Sequence, residues 1–158
     1  MATSLSRQLL GTWLLTGRID RARTGEQRVE PTLGADPVAL LYYDDSGHFA
    51  AQFMKRDRSA AGAASEVGSV AAAQNNSRAQ GGYDAYFGTY TVDDARSTVT
   101  QRLLGALSAE NVGQVLTREM RVNDDTLTIQ LATTSSDGEP VTRTLTWRRA
   151  GRVQQDEA

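Results

Sequence analysis

Hydrophobic and polar residues alternate with a period of two along most of the chain, which is the pattern of β-strands that bury one face. Turn-forming Asp, Asn, Gly and Ser residues bound most of the alternating segments. These segments cover residues 12–19, 38–43, 48–54, 83–92, 98–107, 113–122, 126–132 and 141–148, with a polar ninth candidate at 27–30. Because closing such a meander removes its exposed edges, we predict an all-β fold, a single antiparallel barrel of eight to nine strands.

Three segments do not alternate. Residues 4–10 predict a short N-terminal helix, with Ser4 as its N-cap and Gly11 as its stop. Residues 59–82 are rich in Ala, Gly, Ser, Asn and Gln and contain no aromatic residue. This insertion is either a connecting loop with a helical turn or a lid over a barrel mouth. The polar residues 151–158 predict a disordered tail, so one domain is expected over residues 1–150.

The composition excludes several classes of function. The 158 residues include no cysteine and one histidine, so thiol nucleophiles, disulfides and thiolate or histidine metal sites are not expected, and we predict no metal and no cofactor. A net charge of −2 argues against nucleic-acid binding. No apolar run reaches the roughly 20 residues of a membrane span, and residues 1–10 are too short and polar for a signal peptide, so a cytoplasmic location is expected. His48 follows the turn at 44–47 and is interpreted as an exposed strand-end residue.

Three polar residues fall on strand faces that are otherwise apolar: Gln101, Arg118 and Arg143. A charge inside a barrel costs several kcal/mol unless it finds a partner, water or ligand. Arg143 is expected to lie in solvent at a strand end. In a structural role, Arg118 pairs with a carboxylate or caps carbonyls, and Gln101 bonds to Arg118. In a functional role, the two residues anchor a carbonyl, hydroxyl or carboxylate of an apolar ligand. Met120 and Trp147 share the apolar faces of their strands.

The tyrosines provide a second group of candidates. Tyr43, Tyr86 and Tyr90 either line a pocket, where each offers an apolar ring and a hydroxyl, or belong to the barrel core. The alternation in residues 83–92 does not decide which face of that strand is interior. With Gln52 added, the predicted ligand-binding residues are Tyr43, Gln52, Tyr86, Tyr90, Gln101, Arg118, Met120 and Trp147.

Several motifs resemble those of a known family. Gly11-Thr12-Trp13, which follows the short helical segment, is similar to the Gly-x-Trp that begins the first strand of lipocalins. The further motifs, in order, are Leu41-x-Tyr43, Asp45-x-Gly47, Ala51-Gln52, the YFGTY segment at 86–90, Gly113 followed by Arg118, and the LTWRR segment at 145–149. Together they resemble the bacterial and fungal lipocalin-like domain family over roughly residues 5–149.

The resemblance implies a calycin-type barrel and two broad kinds of function. Barrels of this type include carriers of hydrophobic molecules, and related barrels are cofactor-free cyclases and isomerases in secondary-metabolite pathways. A histidine usually stands in the family at the position that aligns with Gln101. Because glutamine forms hydrogen bonds but does not titrate, a proton-transfer role at that position is not expected here.

Three functional hypotheses remain open on the sequence. The barrel binds a small apolar or amphipathic organic molecule, or it also converts that molecule as a cofactor-free cyclase or isomerase. Alternatively, it is a non-catalytic carrier, or an interaction module whose centre is filled by its own side chains. The sequence also leaves open whether the chain forms a homodimer.

Overall fold

The structure, a computed structural model, describes residues 3–58, 79–135 and 137–153. The greater part of the predicted insertion or lid, residues 59–78, lies outside the described residues. The same holds for residues 154–158 of the predicted tail.

Nine antiparallel strands account for most of the described chain, and each follows an alternating segment of the sequence or the polar segment at 27–30. They are β1 (Gly11–Ala22), β2 (Gln27–Arg28), β3 (Val38–Tyr43), β4 (His48–Met54), β5 (Tyr83–Asp93), β6 (Thr98–Ala106), β7 (Val115–Asn123), β8 (Thr126–Thr134) and β9 (Pro140–Arg149). One helical turn, α1 (Leu5–Gln8), precedes β1, and a 3-10 turn (Ala109–Asn111) joins β6 to β7.

The sheet closes on itself. Its strand order is β1-β3-β4-β5-β6-β7-β8-β9, and β9 pairs with β1 to complete an eight-stranded barrel. The short β2 is an additional strand, paired with the far end of β1 through Asp20 and Arg21. The predicted fold class is therefore confirmed. The register is irregular at two places, where Thr16 of β1 and Leu104 of β6, opposite Phe87/Gly88 of β5, are extra residues, and such β-bulges increase the local bend of the strand that contains them.

Gly88 allows β5 and β6 to approach closely at the second irregularity. A Cβ atom at this position would overlap the backbone carbonyl of Arg102 on β6. Since the obstacle is backbone, no rotamer change removes it, and only glycine fits here without moving a strand.

The segment before β1 packs against one end of the barrel. Leu9 is fully buried, and its carbonyl accepts a hydrogen bond from the Trp13 indole nitrogen at 2.9 Å. The Arg149 guanidinium donates to the carbonyls of Leu10 and Gln8 and stacks on Trp13, 4.3 Å from the ring centroid. The predicted short helix is present, with Ser4 at its N-cap position, and among the described residues no helix combines the length and apolarity needed to cross a membrane.

The interior faces of β7 and β8 follow the predicted alternation, with every second residue buried from Leu116 to Val122 and from Leu127 to Leu131. The expectation for Arg143 is wrong. Its side chain is fully buried, and its Nε and Nη2 atoms donate to the two carboxylate oxygens of Asp20 at 2.8 and 2.9 Å. The cause is the length of β1, which continues beyond its predicted end at residue 19 and places Asp20 opposite Arg143.

Candidate functional site: a cavity inside the barrel

The barrel encloses a cavity of about 30 Å³, to which strands β3 to β9 all contribute side chains. A space of this size holds about two water molecules. Most of the wall is apolar and consists of Leu41, Phe53, Met120, Ile129, Leu131 and Leu145. Four lining residues carry polar groups: Tyr86, Gln101, Arg118 and Trp147. An apolar wall with a few polar groups is the arrangement typical of small-molecule sites.

Arg118 places a guanidinium in this wall. It lies on the inward face of β7 between Leu116 and Met120 and is only 9% exposed. Its Nη1 donates to the backbone carbonyl of Thr117 at 2.9 Å. Its Nη2 is buried and has no hydrogen-bond partner among the described residues. Burial lowers the pKa of the guanidinium, but an arginine remains cationic at neutral pH.

Gln101 is held in place by Tyr43. The Gln101 amide nitrogen donates to the Tyr43 hydroxyl oxygen at 2.7 Å, and this hydroxyl points at the Met120 sulfur, 3.7 Å away. Burial raises the pKa of the Tyr43 hydroxyl, so it stays protonated. Gln101 lines the cavity, whereas Tyr43 lies behind the wall and fixes the position of the Gln101 side-chain amide. The sequence-based alternative of a Gln101–Arg118 pair is replaced by a Gln101–Tyr43 pair.

Tyr86 contributes a neutral donor to the same wall. Its ring is buried between Phe49 and Phe53, with centroids 6.1 and 6.2 Å away. No hydrogen bond to its hydroxyl is found within the described parts of the chain. Burial, together with the nearby Asp84 carboxylate, raises the pKa of this hydroxyl, whereas the charge of Arg118 lowers it. The hydroxyl therefore stays protonated and is available as a donor.

Two further arginines lie inside the barrel, and each has a carboxylate partner. Arg143 forms the bidentate pair with Asp20. Arg18 donates to Glu30 at 3.1 Å, with both side chains almost completely buried. Burial raises the pKa of Glu30, but the charge of Arg18 and hydrogen bonds from the Thr32 and Leu33 segment outweigh it, and this pKa lies below its ordinary value. These two pairs are neutral as units.

Asp84 is a third buried carboxyl group, on the inward face of β5 two residues before Tyr86. It is 0% exposed, and its Oδ2 atom has no hydrogen-bond partner among the described residues. Burial raises the pKa of Asp84 to about 6, although the positive charge of Arg18 opposes this shift. Asp84 therefore changes its protonation close to neutral pH, inside the barrel.

The structure brings most of the predicted site residues together. Five of the eight line the cavity: Tyr86, Gln101, Arg118, Met120 and Trp147. Tyr43 supports Gln101 from behind. Tyr90 is only partly buried and donates to the backbone carbonyl of Asp44 at 2.6 Å, outside the cavity wall.

Gln52 lies away from the cavity, on the outer face of β4, where its side-chain oxygen accepts a hydrogen bond from the Tyr83 hydroxyl. His48 is exposed, as expected, and its Nδ1 atom lies 2.8 Å from the Ser46 hydroxyl oxygen. Neither residue has access to the interior.

The buried charges of Arg18, Asp20, Glu30 and Asp84 were missed by the sequence analysis. Arg18 and Asp20 share a face of β1, and Asp84 shares one with Tyr86, so their spacing contained a signal. Polar residues at those positions resembled strand ends rather than interior positions. The pairs Arg18–Glu30 and Asp20–Arg143 form between different segments of the chain, so the local pattern does not reveal them.

Comparison with known families agrees with this architecture. Residues 10–150 match the family model described as a lipocalin-like domain. No curated protein matches the chain.

Proposed function

This chain belongs to the lipocalin-like domain family, and we propose that it binds a small, largely apolar organic molecule inside the barrel, with a hydrogen-bond-accepting group on Arg118. The family's barrel is consistent with a small hydrophobic ligand. The single observation that carries the proposal is that Arg118, a residue of the cavity wall, has a buried Nη2 atom with no partner among the described residues.

A barrel filled only by its own side chains would be expected to satisfy its polar groups, because more than about 90% of buried polar groups in native proteins are hydrogen-bonded. Within the described residues, the cavity wall instead contains unpartnered donors at Arg118 and at the Trp147 indole nitrogen. Leaving such donors unpaired costs about 1–3 kcal/mol each, and more for charged groups. A ligand with acceptor atoms would offset that cost.

An organic ligand needs more room than the present 30 Å³, so lining side chains must move when it enters. Met120 is suited to this movement, because methionine has three flexible torsions and adapts its shape readily. Its contact with the Tyr43 hydroxyl is a weak one to sulfur, at 3.7 Å. We therefore expect ligand entry to displace the Met120 side chain while the backbone of the barrel is retained.

Titration of the ¹⁵N-labelled protein with 2-naphthoate and with 2-naphthamide tests binding. We expect at least one probe to shift the resonances of cavity-lining residues, including Met120. Arg118→Met should weaken the binding of that probe tenfold or more, because hydrogen bonds to charged groups contribute about 1.5–3 kcal/mol. Arg121→Met is the matched control, since Arg121 lies on the exposed face of the same strand. If neither probe shifts cavity resonances, or if both map to the outer surface, the proposed function is wrong.

A second candidate function is conversion of the bound molecule, as a cofactor-free cyclase or isomerase of a secondary-metabolite-like substrate. Asp84 favours it, because this buried carboxyl has an unpartnered oxygen and lies on the same strand face as Tyr86 in the cavity wall. A carboxyl group that titrates near neutrality is suited to accept and return a proton.

Native mass spectrometry of the protein purified from its own host, followed by extraction, distinguishes the two functions. A carrier releases one defined organic species unchanged. A cyclase or isomerase converts a supplied precursor with time, and Asp84→Asn should stop the conversion while binding persists. Unaltered conversion by this variant would remove Asp84 from the chemistry.

A further inference from the structure

The distribution of charge inside the barrel is uneven. Three described arginines are buried: Arg18, Arg118 and Arg143. Arg143 forms an ion pair with Asp20, and Arg18 forms one with Glu30, each with an N–O distance within 3.1 Å. Arg118 forms no ion pair within the described residues. The only hydrogen bond of the Arg118 side chain in this part of the chain is to a backbone carbonyl, which carries no net charge.

The strands beside Arg118 offer no carboxylate on their inward faces. On β6 the buried residue directly opposite Arg118 is Val99, and the other buried residues of that strand are Gln101 and Leu103. On β8 the buried residues are Leu127, Ile129 and Leu131. The inward face of β7 itself contributes only apolar neighbours to Arg118.

Asp84 does not take the place of the missing partner. It forms no ion pair in the described chain; the charged groups that act on it are Arg18 and Glu30, and it acts in turn on the Tyr86 hydroxyl. Arg118 interacts electrostatically with the cation of Arg143 and with two titratable hydroxyls, those of Tyr86 and Tyr43. Among the described residues, Arg118 therefore contributes a positive charge to the cavity wall that no carboxylate pairs with.

From this distribution we infer that the ligand is an anion, an apolar molecule with one carboxylate or similarly acidic group that forms the missing ion pair with Arg118. The inference rests on the proposed function and specifies its ligand class. A buried charge needs a partner of opposite sign, and in a low-dielectric interior a charged acceptor gains more from the guanidinium than a neutral one does.

Two lining residues supply donors for the oxygens of a carboxylate. The Arg118 guanidinium has an Nη2 atom that is unpartnered in the described chain, and the Tyr86 hydroxyl, which interacts electrostatically with Arg118, is a second donor. The cavity that both residues line has room for about two waters, and we expect the head group to occupy it. The apolar wall that includes Leu131 and Leu145 then faces the remainder of the ligand.

Matched probe pairs test the inference by isolating charge at nearly constant shape. Decanoate is compared with decanamide and 2-naphthoate with 2-naphthamide, by calorimetry on the full chain at pH 8. We expect each carboxylate to bind at least tenfold more tightly than its amide. Arg118→Met should remove this preference, Arg118→Lys should retain part of it, and Arg121→Met, at an exposed position of the same strand, should leave it unchanged. Thermal unfolding confirms that each variant is folded.

The outcomes separate the inference from the proposed function. If the amides bind in the cavity as tightly as the carboxylates, the ligand needs no charge and the inference is overturned, while the proposed function stands. If Arg118→Met keeps the carboxylate preference, the anion site lies elsewhere and the inference is also overturned. If none of the four probes binds, both fail.

Discussion

Replacing Asp84 with asparagine should change the free energy of unfolding by an amount that depends on pH. The change should be more favourable at pH 8 than at pH 4. The pKa of the folded-state carboxyl is about 6, against an ordinary value of 3.8, a difference of about 2 units. At about 1.4 kcal/mol per unit, this shift corresponds to about 3 kcal/mol. Because the folded state holds the proton more tightly, the contribution of Asp84 to stability is fully present below about pH 4. It is lost as the pH rises through 6.

Asparagine keeps the shape of the side chain and does not titrate. The free energy of unfolding of Asp84→Asn, minus that of the unaltered protein, should therefore rise by about 2.5 kcal/mol between pH 4 and pH 8, less than the full shift because the unfolded carboxyl is already partly ionised at pH 4. Urea unfolding at five pH values across this range measures the difference, in which the titrations of other groups cancel. Asp45→Asn is the control, since Asp45 is an exposed carboxylate in the β3–β4 turn. A difference that stays level or falls with pH would refute the reasoning and indicate that Asp84 is ionised and paired in the folded protein.

Two further predictions concern the frame of the barrel. Asp20→Asn should cost about 3–5 kcal/mol in urea unfolding, because it leaves the Arg143 guanidinium buried without its counter-charge, whereas replacing both residues by leucine should recover most of the loss. A double variant no more stable than the single one would contradict this account. Gly88→Ala should lower the urea midpoint strongly, because its Cβ would overlap the Arg102 carbonyl, while Gly17→Ala, where a Cβ meets nothing within 4 Å, should have a small effect. Equal midpoints for the two alanine variants would show that β5 and β6 separate easily at this position.

The barrel was predictable because its strands have one solvent-exposed face and one buried face. Alternation identified the strands, and the turn residues located most of their ends to within a few residues. The alternation did not predict the far end of β1, where the inward positions are occupied by Arg18 and Asp20 instead of apolar residues. Hydrophobicity contains no information about charges that pair across the barrel, so the predicted strand ended before Asp20.

The cavity was partly predictable for the same reason. Arg118 and Gln101 were predicted as ligand-binding residues because they are polar residues at apolar positions, and both line the cavity. The alternation of β4 also placed Gln52 between the inward Ala51 and Phe53, so its outward orientation followed from the pattern. The prediction of Gln52 as a ligand-binding residue did not follow that pattern.

Two arginines with the same sequence signature proved to have different environments. Arg118 and Arg143 each interrupt an apolar strand face, and neither local sequence reveals whether a carboxylate faces it. The partner of Arg143 is 123 residues away in sequence and was recognisable only once β1 and β9 were seen to close the barrel. For Arg118, the neighbouring strands in the sheet are β6 and β8, and their buried positions hold no acid. The barrel therefore supplies the counter-charge of one arginine and leaves that of the other to be supplied from outside the described chain.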